Sequence, residues 1–119
     1  MKLEDLITKV KKERPNSFSN DHLTGYVNEL EALITSWMED DFFPYTYSIH
    51  KERELIVEPP YDCIYEEWVK AKINYALGEL QEYQNDVTQF NADYDAWKAY
   101  MVSHGLVEPR VPKAITNWW

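Results

Sequence analysis

The sequence predicts a mainly α-helical protein, built as a small helical bundle with an extended arm at its C-terminal end. Apolar residues recur at intervals of three and four over most of the chain, which is the period of a helix buried on one face. Pro15, Pro60 and Pro109 separate these stretches. Hydrophobic residues make up 45% of the 119 residues, which is enough for one core. We expect a helical domain over residues 1–104 and the arm over residues 105–119.

Two short helices are predicted at the N-terminal end. The apolar stripe of the first comprises Leu3, Leu6, Ile7 and Val10. This helix ends before Pro15. The second begins after Ser19, a favourable N-cap, and Phe18 is placed to pack on Leu23 as a hydrophobic staple. Its stripe comprises Leu23, Tyr26, Val27, Leu30, Leu33, Ile34 and Trp37.

The helical period disappears over residues 39–60. Tyr45, Tyr47 and Ile49 alternate with polar residues, and residues 55–57 are again β-branched or aliphatic, so both runs favour extended chain. They could pair as a short β-hairpin over residues 45–58, or remain unpaired, because the intervening residues 50–54 contain no glycine for a tight turn.

The strongest periodic signal follows Pro60 and predicts one long helix over residues 62–103, with Asp62 as its N-cap. Its apolar seam comprises Ile73, Ala76, Leu80, Tyr83, Val87, Phe90, Tyr94, Trp97 and Met101. A straight helix of this length would span about 60 Å, more than a domain of this size. We therefore expect a bend at Gly78, or coverage by partners. The first half of the seam is predicted to join the local core and the second half to pack against neighbouring subunits.

The arm is predicted to dock on protein. Gly105 ends the long helix, and Pro109 and Pro112 exclude a continuous helix beyond it. The apolar side chains of the arm are too many for it to bury alone, so a groove on another subunit is the favoured site and the arm's own domain the alternative. The predicted protein-interface residues are Leu106, Val107, Val111, Ile115, Trp118 and Trp119 of the arm and Phe90, Tyr94, Trp97 and Met101 of the long helix.

Charge and aromatic content bear on the class of partner. Twelve basic and twenty-one acidic residues give a net charge of −9, which disfavours a grip on nucleic acid. Nine Tyr, five Trp and four Phe favour subunit interfaces. No apolar run reaches the roughly 18 residues of a membrane span, and no export signal is visible. We expect no membrane association and a location in the cytoplasm, or in a particle assembled there.

The sequence offers no recognised catalytic, cofactor or metal motif. The three glycines lie singly, so no glycine-rich phosphate loop exists. His22, His50 and His104 fall in different segments, which argues against zinc. Cys63 is the single cysteine and is interpreted as a buried structural residue. Paired carboxylates are interpreted as solvated faces. We therefore predict no catalytic residue, no cofactor and no metal.

Two parts of the chain suggest a family. Residues 16–19 (NSFS) and 26–31 (YVNELE) resemble the opening of the head-to-tail connector proteins of long-tailed bacteriophages. A longer match resembles the long helix of that family and comprises residues 59–65 (PPYDCIY), 78–79, 83–85, 90–94 and 97. The arm, which closes in Trp118 and Trp119, departs from the resemblance.

The resemblance implies a structural role in the virion, at the head-tail connector. A chain of this family would form a cyclic homo-oligomer, expected to be a dodecamer, beneath the portal protein. It would help to complete the head and to provide the tail attachment site, together with a tail-proximal connector or stopper protein. DNA would pass through the ring without sequence-specific binding, and assembly would take place in the bacterial host cytoplasm. The alternative is an acidic cytoplasmic regulatory module that binds protein without catalysis, and an unrecognised enzyme ranks third.

Overall fold

The computed structural model describes residues 1–107, and these residues form five helices and no strand. The predicted mainly α-helical fold is therefore confirmed. The helices are α1 (Leu3–Glu13), α2 (Asn20–Met38), α3 (Tyr47–His50), α4 (Cys63–Ala76) and α5 (Leu80–Ser103). Four predicted interface residues lie outside the described residues, namely Val111, Ile115, Trp118 and Trp119.

The core lies where α1, α2 and α4 meet, with α5 packed along α4. The predicted stripe of α1 is completely buried, because its four apolar side chains are at most 1% exposed. α2 buries Leu23, Val27, Leu30 and Ile34, while Tyr26, Leu33 and Trp37 of its predicted stripe are half-buried around this core. α4 contributes Ile64, Tyr65, Trp68, Val69 and Ile73.

The predicted start of α2 is confirmed at Ser19. Its backbone is extended, at φ −70° and ψ 161°, and its Oγ accepts a hydrogen bond from the backbone N–H of His22 at 3.0 Å. Phe18 packs against the core that includes Leu23, and its ring stacks on His22 with the centroids 4.8 Å apart. This cap and aromatic contact fix the direction in which the chain enters α2.

The short β-hairpin considered for residues 45–58 is not formed. Tyr47–His50 make one helical turn instead, and Glu54 forms an isolated antiparallel bridge with Lys2. The backbone N–H of Leu55 donates to the carbonyl of Met1 at 2.9 Å. The second run therefore pairs with the beginning of the chain, because the segment lacks the glycine turn that would return it onto the first run.

The predicted long helix is broken into two. Gly78 has φ +76°, a left-handed conformation that stops α4. Only three residues, 77–79, separate the end of α4 from the start of α5. α5 then runs back along α4, since Cys63 contacts Asp93, Trp68 contacts Phe90, and Tyr75 contacts Tyr83. The bend was predicted at the correct residue, but a complete reversal of the chain direction was not predicted. The straight helix of about 60 Å is replaced by a helical hairpin in a molecule whose longest dimension is 41 Å.

Candidate interaction surfaces

The aromatic residues of α5 that were predicted to meet a neighbour lie largely within this chain. Phe90 is 2% exposed and Trp97 is 3% exposed. The ring of Phe90 lies 5.2 Å from that of Trp68, and the ring of Trp97 lies 5.3 Å from that of Trp37. These two side chains have little surface left for another subunit, and their predicted role at an interface stays a prediction.

Tyr94 lies between those two residues and is half-buried. Its ring stacks on Phe90 at 5.2 Å and on Trp97 at 5.8 Å. Burial, with a smaller contribution from the charge of Asp95, raises the pKa of Tyr94 to about 12. The part of the α5 seam from Phe90 to Trp97 therefore packs mainly on α4, because the hairpin brings it back, and Trp97 also contacts Trp37 of α2.

Three neighbouring exposed apolar side chains lie instead at the turn of the hairpin. Tyr75, Leu77 and Leu80 are 64%, 49% and 59% exposed, and we call these three residues the hairpin-tip surface. Tyr83 extends it, since its ring lies 5.2 Å from that of Tyr75. Apolar surface contributes about 25 cal/mol for each Å² removed from water, so three such side chains side by side form a favourable contact for protein.

An aromatic cavity of about 250 Å³ continues the hairpin-tip surface along α4 and α5. The side chains that line it are Trp68, Ala71, Lys72, Tyr75, Tyr83, Val87 and Phe90. The Nζ atom of Lys72 lies 4.9 Å from the centroid of the Trp68 ring and 3.2 Å from a carboxylate oxygen of Glu29. The cavity therefore combines aromatic walls with one cation at its edge.

A second apolar depression, of about 370 Å³, lies toward the C-terminal end of α5, and we call it the C-terminal groove. It is lined by Met38, Ile56, Glu58, Pro59, Tyr61, Trp97, Tyr100, Met101 and Leu106. Three predicted interface residues thus line it. Leu106 is 58% exposed there, whereas the adjacent Val107 is buried, three residues beyond the predicted end of the helical domain.

The two surfaces lie at opposite ends of α5. Leu80 begins the helix, and Trp97 lies seventeen residues further on, which corresponds to about 25 Å along the axis. A further apolar patch follows the end of α2, where Phe42 is 37% exposed and Phe43 is 69% exposed. The chain therefore presents separate apolar surfaces.

A buried carboxylate holds the segment between α2 and α4. Glu31 is 1% exposed and accepts hydrogen bonds from the hydroxyl of Tyr65 at 2.5 Å and the hydroxyl of Tyr45 at 2.8 Å. The backbone N–H of Ile56 donates to it at 3.2 Å. Burial raises the pKa of Glu31, and these three hydrogen bonds oppose that effect. The arrangement is structural, because it fastens the irregular segment onto α2.

A second polar cluster joins α4 to α5. The Sγ atom of Cys63 lies 3.7 Å from Oδ2 of Asp93, and one ligand atom from each of Cys63, Glu67 and Asp93 lies within 4.8 Å of the other two. Burial, and then the charges of Glu67 and Asp93, raise the pKa of Cys63 to about 12. The thiol is therefore protonated at neutral pH and is a poor nucleophile.

The pKa values of the two carboxyl groups in this cluster are shifted in opposite directions. Burial, followed by the hydrogen bond to Asp93, raises the pKa of Glu67 to about 8. Hydrogen bonds from Glu67 and then from Gln89 lower the pKa of Asp93. A divalent cation could be held here only after Cys63 and Glu67 had each lost a proton. One carboxylate oxygen of Glu67, Oε2, is buried without a hydrogen-bond partner. A hydrogen bond between the carboxyl groups of Glu67 and Asp93 accounts for their proximity without a metal.

Comparison of the chain with models of protein families, with curated proteins and with solved structures gives no match. Among the described residues, no helix has both the length and the apolar character needed to cross a bilayer.

Neither polar cluster was predicted from the sequence, although the position of Glu31 in the apolar pattern of α2 indicated its burial. Glu31 lies four residues after Val27 and three before Ile34, which places it on the buried face of α2. Cys63 and Asp93 are thirty residues apart, and their proximity depends on the hairpin that the periodic pattern could not show.

Proposed function

We propose that this chain is a structural protein without catalytic activity, which acts by assembling with other protein subunits. The observation that carries the proposal is the hairpin-tip surface, where Tyr75, Leu77 and Leu80 are about half exposed or more. Exposed leucines and tyrosines that adjoin an aromatic cavity are typical of contacts between proteins.

The arrangement of the apolar surfaces favours a ring. A ring of three or more subunits is built from heterologous contacts, in which one surface of a subunit meets a different surface of the next. The hairpin-tip surface and the patch at Phe42 and Phe43 are separate from each other, since one adjoins the start of α5 and the other follows the end of α2. Their pairing between successive subunits would continue around a closed ring.

We further propose that this ring belongs to the head-tail connector of a bacteriophage. The resemblance of residues 16–31 and 59–97 to connector proteins supports this role, and so does the net charge of −9. An acidic channel would repel the DNA backbone, and DNA could then pass without adhering. The partners in the virion would be the portal protein on one side and a tail-proximal connector or stopper protein on the other.

Assembly can be tested by sedimentation velocity on the full chain over a range of concentrations. Leu80→Glu should abolish association, because it places a charge in the hairpin-tip surface. Gln81→Glu adds the same charge at the next residue, which is exposed and polar, and should leave association unchanged. A wild-type chain that stays monomeric at high concentration would contradict self-assembly and favour the acidic regulatory module, which binds one partner as a monomer or dimer.

The connector role has a separate test. Purified chain should bind an isolated portal ring, and electron microscopy should show added density on one face of the portal. Leu80→Glu and Gln81→Glu serve as the variant and its control here as well. A chain that assembles but does not bind the portal would retain the structural role and lose the proposed place in the virion.

A further inference from the structure

The C-terminal groove has the features of a surface that is normally covered. Leu106 is 58% exposed and Ile56 is 39% exposed, while Met38, Tyr61 and Met101 are half-buried around them. The groove contains about 370 Å³ of space beside Trp97. Filling such a groove with apolar side chains removes its walls from water and replaces lost dispersion contacts.

The groove lies at the point where the described chain ends. Leu106 forms part of its wall, and its backbone N–H donates to the carbonyl of Met101 at 2.9 Å. Val107, the last described residue, is only 7% exposed. The described part of the chain therefore ends at the edge of the groove.

The composition of residues 108–119 matches the groove. Five of these twelve residues are apolar, namely Val111, Ala114, Ile115, Trp118 and Trp119. The segment also has two basic residues and one acidic residue, whereas residues 1–107 have ten basic and twenty acidic residues. A cationic apolar segment is attracted to an acidic body, and Glu58 supplies a carboxylate in the wall of the groove.

We propose that residues 108–119 of the same chain occupy the C-terminal groove. Twelve residues reach at most about 40 Å, which exceeds the length needed to fill a groove that begins at residue 106. A tethered segment acts at an effective concentration in the millimolar range, which a segment from a second molecule does not reach in dilute solution. The position of the groove thus favours the chain's own arm, whereas the sequence alone favoured another subunit. A partner that uses the groove must first displace the arm.

The test uses NMR of the full chain with ¹³C-labelled methionine methyl groups. Met38 and Met101 line the groove, and Met1 is not among its lining residues. The double variant Trp118→Ala with Trp119→Ala removes two indole rings from the arm. The methyl resonances of Met38 and Met101 should lose a ring-current shift, and that of Met1 should stay in place. Ile49→Ala, at a side chain that is 74% exposed and outside the groove, should move none of the three.

Each alternative has its own outcome. Unmoved Met38 and Met101 resonances in the double variant would overturn the proposal. Resonances that move toward those of the variant on dilution would show that a second molecule supplies the arm, and would overturn it too. The variant Trp118→Phe with Trp119→Phe, which keeps aromatic rings, should retain most of the shift. The spectra are recorded at a concentration at which sedimentation shows a monomer, so that the result does not depend on whether the chain forms rings.

Discussion

At the scale of single residues, the most informative side chain is Glu31. Its carboxylate is removed from water, and two phenol hydroxyls and one backbone N–H are its hydrogen-bond partners. Without it, the hydroxyls of Tyr45 and Tyr65 would each lose a buried acceptor. An unsatisfied buried group costs about 1–3 kcal/mol, whereas a satisfied network specifies one packing.

Glu31→Ala should therefore lower the free energy of unfolding by about 3 kcal/mol, because two buried hydroxyls are left without an acceptor. Urea denaturation followed by circular dichroism measures the change. The matched control is Glu29→Ala in the same helix, since the ion pair of Glu29 with Lys72 is largely exposed and should contribute less than about 1 kcal/mol. Equal losses in the two variants would contradict the structural role of Glu31.

The pH dependence of stability should report on Glu67. The pKa of this residue is about 8 in the folded chain, above its ordinary value of 4.5, so the folded state binds more protons than the unfolded state between these two values. Its contribution to stability is present below pH 4.5 and is lost as the pH rises toward 8. Burial raises the pKa of Glu31 as well, which acts in the same direction.

We predict that Glu67→Gln reduces the fall in stability between pH 5 and pH 8. The variant cannot ionise beside Asp93, so it should be more stable than the wild type at pH 8. Thermal unfolding at several pH values measures this difference. The control is Glu79→Gln, because Glu79 is exposed at the turn of the hairpin and its substitution should leave the pH profile parallel to that of the wild type. An unchanged slope in Glu67→Gln would contradict the raised pKa of Glu67.

At the scale of elements, the connection between α4 and α5 decides the shape of the chain. Gly78 adopts φ +76°, which is strained for any residue with a Cβ. The backbone N–H of Glu79 donates to the carbonyl of Asn74 at 2.9 Å and closes the turn. The side-chain amide of Asn74 donates a hydrogen bond to the carboxylate of Asp86 in α5 at 2.7 Å and accepts one from the guanidinium of Arg14 at 2.6 Å. These bonds hold the hairpin against the end of α1.

Gly78→Ala should destabilise the fold by about 1 kcal/mol, because alanine disfavours the left-handed conformation. Gly25→Ala is the matched control, since Gly25 lies within α2 at an ordinary φ with nothing within 4 Å of an added Cβ. That substitution should stabilise the chain by up to about 1 kcal/mol, because alanine favours the helix. Chemical denaturation of both variants should give changes of opposite sign. A stabilised Gly78→Ala would mean that α4 and α5 join into one helix.

At the scale of the whole molecule, the net charge of −9 opposes self-association through the apolar surfaces. Subunits of the same sign repel each other, and salt screens that repulsion, with a Debye length that falls from about 30 Å at 0.01 M to about 10 Å at 0.1 M. Apolar contacts do not weaken over this range. The proposed assembly should therefore be limited by charge at low ionic strength.

We predict that raising sodium chloride from 0.01 M to 0.2 M strengthens self-association of the full chain, as measured by light scattering or sedimentation. Gln81→Glu should follow the wild type, and Leu80→Glu should not associate at either concentration. Weaker association at high salt would indicate an interface held by ion pairs, and would exclude the apolar hairpin-tip surface as its main contact.

The sequence by itself determined the helical class, the buried stripe of α1, the cap at Ser19 and the site of the bend at Gly78. Each of these follows from residues close together in the chain, where spacing and backbone preference act directly. The sequence also showed an apolar seam in α5 that needed a partner. It could not show which partner, because the pattern of one helix face is the same for a core and for an interface.

Tertiary structure alone decided that α5 returns along α4. This return buries Phe90 and Trp97 within the chain and brings Cys63 beside Asp93. It also leaves Leu80, at the start of the seam, exposed beside Tyr75 and Leu77 at the hairpin tip. The hydrogen bonds of Glu31 with Tyr45 and Tyr65 were also decided by the tertiary structure, since these residues come from three separate segments. Such contacts depend on how all the elements together bury their apolar surface. A local sequence pattern does not contain this information.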